Sequence, residues 1–226
     1  MGEQGAAGQN GTAGGLAVGT AVHHHHGMGS DDASGHDGTT STWEDWSDPS
    51  RESGLAVMLP GGGYTCEMPL LSFAGRVAAH HGWRVRAVSW HPTAEWGEER
   101  VGDELEAAIG GFPGPVRVIA KSLGTHAAPF AAERGIDAVW LTPLLHRREV
   151  VDAMARHRGR QLLIGGTSDE GRWDSSVAAS LAAGDGGAEL LEIAGADHSL
   201  GVEDPLRTAE IHVEVVRVID RWFSGA

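Results

Sequence analysis

The chain has 226 residues, enough for one sizeable core without a second domain. Its 17 basic and 31 acidic residues give a formal charge of −14, a balance that repels nucleic acid and anionic membranes. A single cysteine, Cys66, excludes an intramolecular disulfide framework, and no stretch approaches the length of a membrane span. No basic segment followed by an apolar run opens the chain, so a cytoplasmic location is expected.

Residues 1–42 are dominated by Gly, Ala, Ser, Thr and Asp, with little apolar area to offset ordering entropy, and are expected to be disordered. Within them, His23, His24, His25 and His26 resemble an affinity tract more than a catalytic centre, and no functional metal site is expected there. From Trp43 to the C-terminus, short apolar runs alternate with longer amphipathic stretches, which predicts one α/β domain over 43–226.

In chain order, Leu55–Leu59 reads as a buried strand running into Pro60-Gly61-Gly62-Gly63, followed by a helix over Leu70–His81 and a strand over Trp83–Trp90. Glu98–Ile109 has Val101, Leu105 and Ile109 at helical spacing and stops at Gly110-Gly111. Val116–Ala120 is the next strand, with a helix predicted from Ser122 onward. Ala138–Leu141, a short helix over Arg148–His157, a strand over Gln161–Ile164, a helix over Ser175–Ala183 and a strand over Glu189–Ile193 follow. The last helix is announced by Asp204 at its N-cap and Pro205 at its first position, with Ala209, Val213, Val216, Ile219 and Phe223 expected to face the sheet.

Three residues then attract attention by where they fall. Ala120-Lys121-Ser122-Leu123-Gly124 differs from the pattern G-x-S-x-G only by Ala at the first position, and it joins an apolar strand to a helix-compatible segment. Small flanking residues let the chain turn sharply there, raising the serine hydroxyl above the strand ends. A serine hydroxyl needs a base, and the base needs an acid to orient it. Asp169 follows the strand Gln161–Ile164, and His198 follows the strand Glu189–Ile193. Each residue has a plainer use: Ser122 as a helix cap, Asp169 as a turn residue, His198 as a surface or core histidine. Glu170 or Asp174 also stands near enough to be the acid, and other histidines are present to serve as the base. It is the joint placement of the three, each after a different strand, that selects Ser122, Asp169 and His198.

The order Ser, Asp, His, each at a strand end, resembles the α/β-hydrolase superfamily from about Ser53 to the C-terminus. That resemblance implies a mostly parallel central sheet flanked by helices on both faces. It also implies an oxyanion hole built from the backbone N–H groups of Leu123 and of Gly62 or Gly63, because Pro60-Gly61-Gly62-Gly63-Tyr64 sits where such enzymes carry a Gly-rich loop. Pro60 stands where many of them have histidine. The segment between Leu141 and Gln161 has room for one short helix and none for a cap domain.

The expected activity is hydrolysis of a small carboxylic ester or thioester through an acyl-enzyme, with a small-molecule substrate and no metal or organic cofactor. Acyl transfer, peptide cleavage or lactone opening would use the same three residues, and a ligand-binding protein could keep the fold without turnover. Tyr64, Trp90, His91, Trp140 and Trp173 lie at or just past strand ends and are candidates for the pocket wall. Cys66 lies close to the Gly-rich loop, but no strand-to-helix turn presents it, so it reads as a buried thiol. Oligomeric state leaves no mark in the sequence.

Overall fold

Leu55–Leu59 (β2) is apolar at every position because both of its faces are covered: Leu55, Val57 and Leu59 pack into one core layer, Ala56 and Met58 into the other. It sits near the middle of a seven-stranded sheet in a computed structural model that describes residues 41–47, 53–90, 97–184 and 187–225. The strands are β1 (Thr42–Asp45), β2, β3 (Arg84–Ser89), β4 (Val116–Lys121), β5 (Asp137–Leu141), β6 (Gln161–Gly166) and β7 (Glu189–Ile193). Their spatial order is β1-β3-β2-β4-β5-β6-β7; β1 runs antiparallel to β3 and every other pairing is parallel.

The helices divide between the two faces. α1 (Pro69–His80) and α6 (Pro205–Ser224) cover one with Leu71, Ala74, Ile211, Ile219 and Trp222. α2 (Arg100–Ile109), α3 (Ala128–Arg134), α4 (Arg148–Ala155) and α5 (Ser175–Ala183) cover the other. Parallel strands need crossover helices, and the sheet with helices on both faces is the α/β architecture expected. The connection from β5 to β6 carries only α4, which agrees with the absence of a cap domain. Among the described residues no helix is long and apolar enough to cross a membrane.

Three local expectations are corrected. The chain past Ser122 first forms a 3₁₀ turn over Ser122–Ala127 and only then α3. α6 buries Ile211, Val215, Ile219, Trp222 and Phe223, while Val213 is 48% exposed. Two apolar stripes run along this helix, and the one bearing Ile211 and Trp222 removes far more area from water than the one bearing Ala209. Finally, β1 was not foreseen. It is held at the sheet edge by Asp45, whose carboxylate pairs with Arg84 and accepts from Arg86 Nε at 2.9 Å. The expected disorder of residues 1–42 and the His23–His26 tract fall almost wholly outside the described residues, Thr42 being the first residue of β1.

Candidate active site

The sheet reverses its winding direction at β2, with β3 on one side and β4 on the other, so the loops that leave the carboxyl ends of β2 and β4 face one crevice. Residues 60–64 leave β2 and Ser122 leaves β4. Ser122 has φ 50, a left-handed conformation that a side-chain-bearing residue adopts only where the surroundings impose it. Two residues on, a Cβ at Gly124 would lie 2.6 Å from the carbonyl oxygen of Leu59, so the turn passes this close to β2 only with glycine there. Ala120, by contrast, is an ordinary buried strand residue, so the elbow accepts alanine in place of its first glycine.

Asp169 and His198 approach from β6 and β7, whose following loops are stitched together. Thr167 N–H donates to the Ile193 carbonyl at 3.0 Å, Ser168 N–H to the Ala196 carbonyl at 2.9 Å, and Gly195 N–H to Thr167 Oγ1 at 2.8 Å. The His198 turn is organised by Asp197, whose Oδ1 accepts from Ser199 N–H at 2.7 Å and Gly201 N–H at 2.9 Å. Asp197 is therefore a turn residue, and Asp174 caps α5 by accepting from Ser176 and Val177. Neither competes with Asp169, which is 2% exposed.

The structure brings the three together. His198 Nε2 lies 2.7 Å from Ser122 Oγ, and His198 Nδ1 lies 2.6 Å from Asp169 Oδ2. A carboxylate only accepts, which places the ring proton on Nδ1 and leaves Nε2 free to accept from the serine hydroxyl. The other carboxylate oxygen, Oδ1, has Arg172 Nη1 at 3.8 Å as a charged neighbour.

The Gly-rich loop lies against the serine. A Cβ on Gly61 would stand 3.5 Å from Ser122 Cβ, and one on Gly62 would stand 3.9 Å from Leu123 Cδ2. Gly61 N–H is already committed to the Tyr64 carbonyl at 2.9 Å, so Gly62 and Gly63 carry the loop's uncommitted candidates for an oxyanion donor. Leu123 opens a helical turn, where N–H groups have no partner within the helix.

Beside this loop runs a cleft of about 600 Å³, lined by Gly62, Gly63, Tyr64, Glu67, Trp43 and Trp90 among others. Trp90 also donates its indole N–H to the Gly61 carbonyl at 3.4 Å. Two expected pocket residues are elsewhere. Trp140 is fully buried in the core, where its N–H donates to Gln161 Oε1 at 3.0 Å: alternation along β5 turns it under the sheet rather than toward the crevice. Trp173 packs over Gly165 and donates to Glu192 Oε2 at 2.7 Å, away from the cleft. His91 lies outside the described residues.

Cys66 also borders the cleft, yet it is 3% exposed and its thiol donates to the Val88 carbonyl. Burial pushes its pKa up, and the Glu67 charge adds to this, so the thiolate a nucleophile requires is suppressed. Away from the crevice, Glu98, His126 and Glu149 each bring a potential ligand atom within 4.8 Å of the others. Arg147 Nη2 already donates to Glu98 Oε1 at 2.6 Å, so one of the two carboxylates is paired with a guanidinium, and burial lowers the pKa of the His126 imidazole.

Sequence reasoning passed over two residues at the crevice. Lys121 is buried at the end of β4, and Thr142, just past β5, has φ 44. The signal for the first was visible: a lysine closing the apolar run Val118-Ile119-Ala120, one position before the serine.

No protein-family model matches the chain, and no curated protein matches it in sequence. Solved structures do match in shape. An α/β serine hydrolase homologue from Coxiella burnetii superposes with a TM-score of 0.63 at 12% identity, covering 81% of this chain and 90% of that one. The chain has the α/β-hydrolase fold. An α/β serine hydrolase without a lid from Xanthomonas campestris matches at TM-score 0.59 and 14% identity, covering 84% of this chain and 98% of its own. Dienelactone hydrolase from Anabaena variabilis matches at TM-score 0.59 and 17% identity over 83% of this chain and 91% of its own.

Proposed function

We propose that this α/β-hydrolase-fold chain is a serine hydrolase that cleaves small carboxylic esters or thioesters, with Ser122 as nucleophile, His198 as general base and Asp169 as the group that orients it. The observation that carries this reading is the unbroken chain from Ser122 Oγ to His198 Nε2 at 2.7 Å and from His198 Nδ1 to Asp169 Oδ2 at 2.6 Å.

In this reading, Ser122 Oγ attacks the substrate carbonyl carbon as its proton passes to His198 Nε2. The imidazolium that forms is stabilised by Asp169 through the Nδ1–H bond. The carbonyl oxygen gains negative charge between the backbone N–H of Leu123 and one from Gly62 or Gly63. Preorganised donors of this kind are worth about 3–4 kcal/mol each. The tetrahedral species collapses by breaking the bond to the leaving group, which takes its proton from Nε2. Water, losing a proton to the same nitrogen, then releases the acid and restores Ser122.

The cleft beside the Gly-rich loop has the volume of a small-molecule site, about 600 Å³, and it borders Gly62 and Gly63 rather than Ser122 or His198 themselves. The His198 side chain is 27% exposed, which gives water a route to the acyl-enzyme and supports hydrolysis. The test is turnover of a p-nitrophenyl ester series of increasing acyl length. The short esters should be hydrolysed, with loss of about 10⁴-fold or more in kcat for Ser122→Ala; equal turnover by that variant refutes the assignment.

A further inference from the structure

Lys121 is the one buried cation at the crevice among the described residues, and the mechanism above leaves it without a task. It precedes Ser122 in the chain and is 1% exposed. Burying an ammonium costs several kcal/mol unless its donors are matched. Here Nζ donates to Thr142 Oγ1 and to the main-chain carbonyl of His198, each at 2.9 Å, and lies 4.5 Å from the centre of the Tyr64 ring. One nitrogen on β4 thereby touches the loops that follow β2, β5 and β7.

We propose that Lys121 is a positioning residue: by binding the His198 carbonyl, it fixes the backbone that presents the imidazole to Ser122 and Asp169. This deepens the serine hydrolase reading and rests on it. A methionine would fill nearly the same volume, so packing alone gives no reason for an amine. The His198 carbonyl, however, needs a donor, and the backbone offers it none at this point; its neighbours in the turn are spent on Asp197. Thr142, held in a left-handed conformation with its N–H on the Ile164 carbonyl at 2.7 Å, supplies the second anchor from the rigid sheet.

The charges that face Lys121 are Asp169 and Asp197, which favour the ammonium, and Arg172, which opposes it; Tyr64 faces it as a neutral ring. Burial outweighs them and pushes the lysine down to about 8. Above that value Nζ exchanges one of its three donors for a lone pair and loses its attraction to Asp169. The hold on His198 weakens, and activity should fall on the alkaline side.

The test is kcat and KM for p-nitrophenyl acetate across about pH 5.5 to about pH 9.5, in the wild type and in Lys121→Met, with melting temperature measured in parallel. The expected result is a loss of about 10- to 100-fold in kcat at neutral pH, KM within about twofold, and disappearance of the wild-type fall above about pH 8. Unchanged kcat overturns the proposal. So does a uniform loss that keeps the wild-type pH profile, because that is the mark of a packing role. If Lys121→Met does not fold, Lys121→Gln, which keeps a donor without the charge, is measured instead: a smaller loss of kcat and a profile without the fall above about pH 8 are expected, and persistence of that fall overturns the proposal.

A readout independent of turnover separates this proposal from the hydrolase reading. The low-field Nδ1–H proton of His198, assigned by its absence in His198→Gln, should be sharp in the wild type and broadened away in the Lys121 variant. Its equal persistence in both overturns the positioning role even if the wild type hydrolyses no ester.

Discussion

A side chain on Gly166 would place its Cβ 2.2 Å from the carbonyl oxygen of Ala196. β6 ends at Gly166, and Ala196 lies two residues before His198, so this close approach is what allows the loops bearing Asp169 and His198 to be stitched together. Gly166→Ala should force them apart. The expected cost is about 1–3 kcal/mol of stability, together with a fall in kcat larger than any change in KM. Thermal unfolding and steady-state kinetics on the same preparation check it; unchanged kcat in a destabilised variant would separate the two effects.

At the sheet edge, burial works to raise the Asp45 pKa, but hydrogen bonds and charge from Arg86 and Arg84 outweigh it and hold the carboxyl below its usual range. A carboxyl whose folded pKa is depressed stabilises the fold above its unfolded value, and that contribution is lost as pH falls through the folded one. Asp45→Asn should therefore cost about 1–3 kcal/mol at neutral pH and progressively less below about pH 4. Urea unfolding at neutral and acid pH reads the difference, and an equal cost at both would contradict the assignment.

Trp140→Phe tests the relocation of that residue from pocket to core. Loss of its N–H leaves buried Gln161 Oε1 without this donor, for a cost of about 1–3 kcal/mol. KM for every ester in a length series should stay at the wild-type value. A selective change for longer acyl chains would return Trp140 to the pocket wall.

Cys66 should resist alkylation by iodoacetamide at pH 8 in the native protein and react promptly in urea, because burial raises its pKa and the thiol is enclosed. Rapid native labelling accompanied by loss of activity would call for a different nucleophile.

The sequence revealed most where local pattern and global packing agree. β2 and β6 are apolar runs because they are buried on both faces, and Asp204-Pro205 marks the start of α6 by capping geometry alone. Ser122, Asp169 and His198 were legible as three residues past three strand ends, since parallel strands place all such positions on one side of a sheet. What pattern could not supply was direction. Trp140 lies one residue before the end of β5 and Trp90 one residue past β3; both are buried, yet only Trp90 also borders the cleft. β1 is short and half-exposed, held by an aspartate whose arginine partners lie on β3, a pairing that no local window contains. Lys121 is visible in the sequence as a lysine closing an apolar run, but its partners, Thr142 and His198, come from two other strand ends.

The central claim is that Ser122 is an activated nucleophile. Its most direct test is intact-mass analysis after treatment with a fluorophosphonate, followed by peptide mapping. The account predicts a single adduct on Ser122 in the wild type, none in Ser122→Ala, and sharply slowed labelling in His198→Gln. An adduct on any other residue, or labelling that persists in Ser122→Ala, would contradict it.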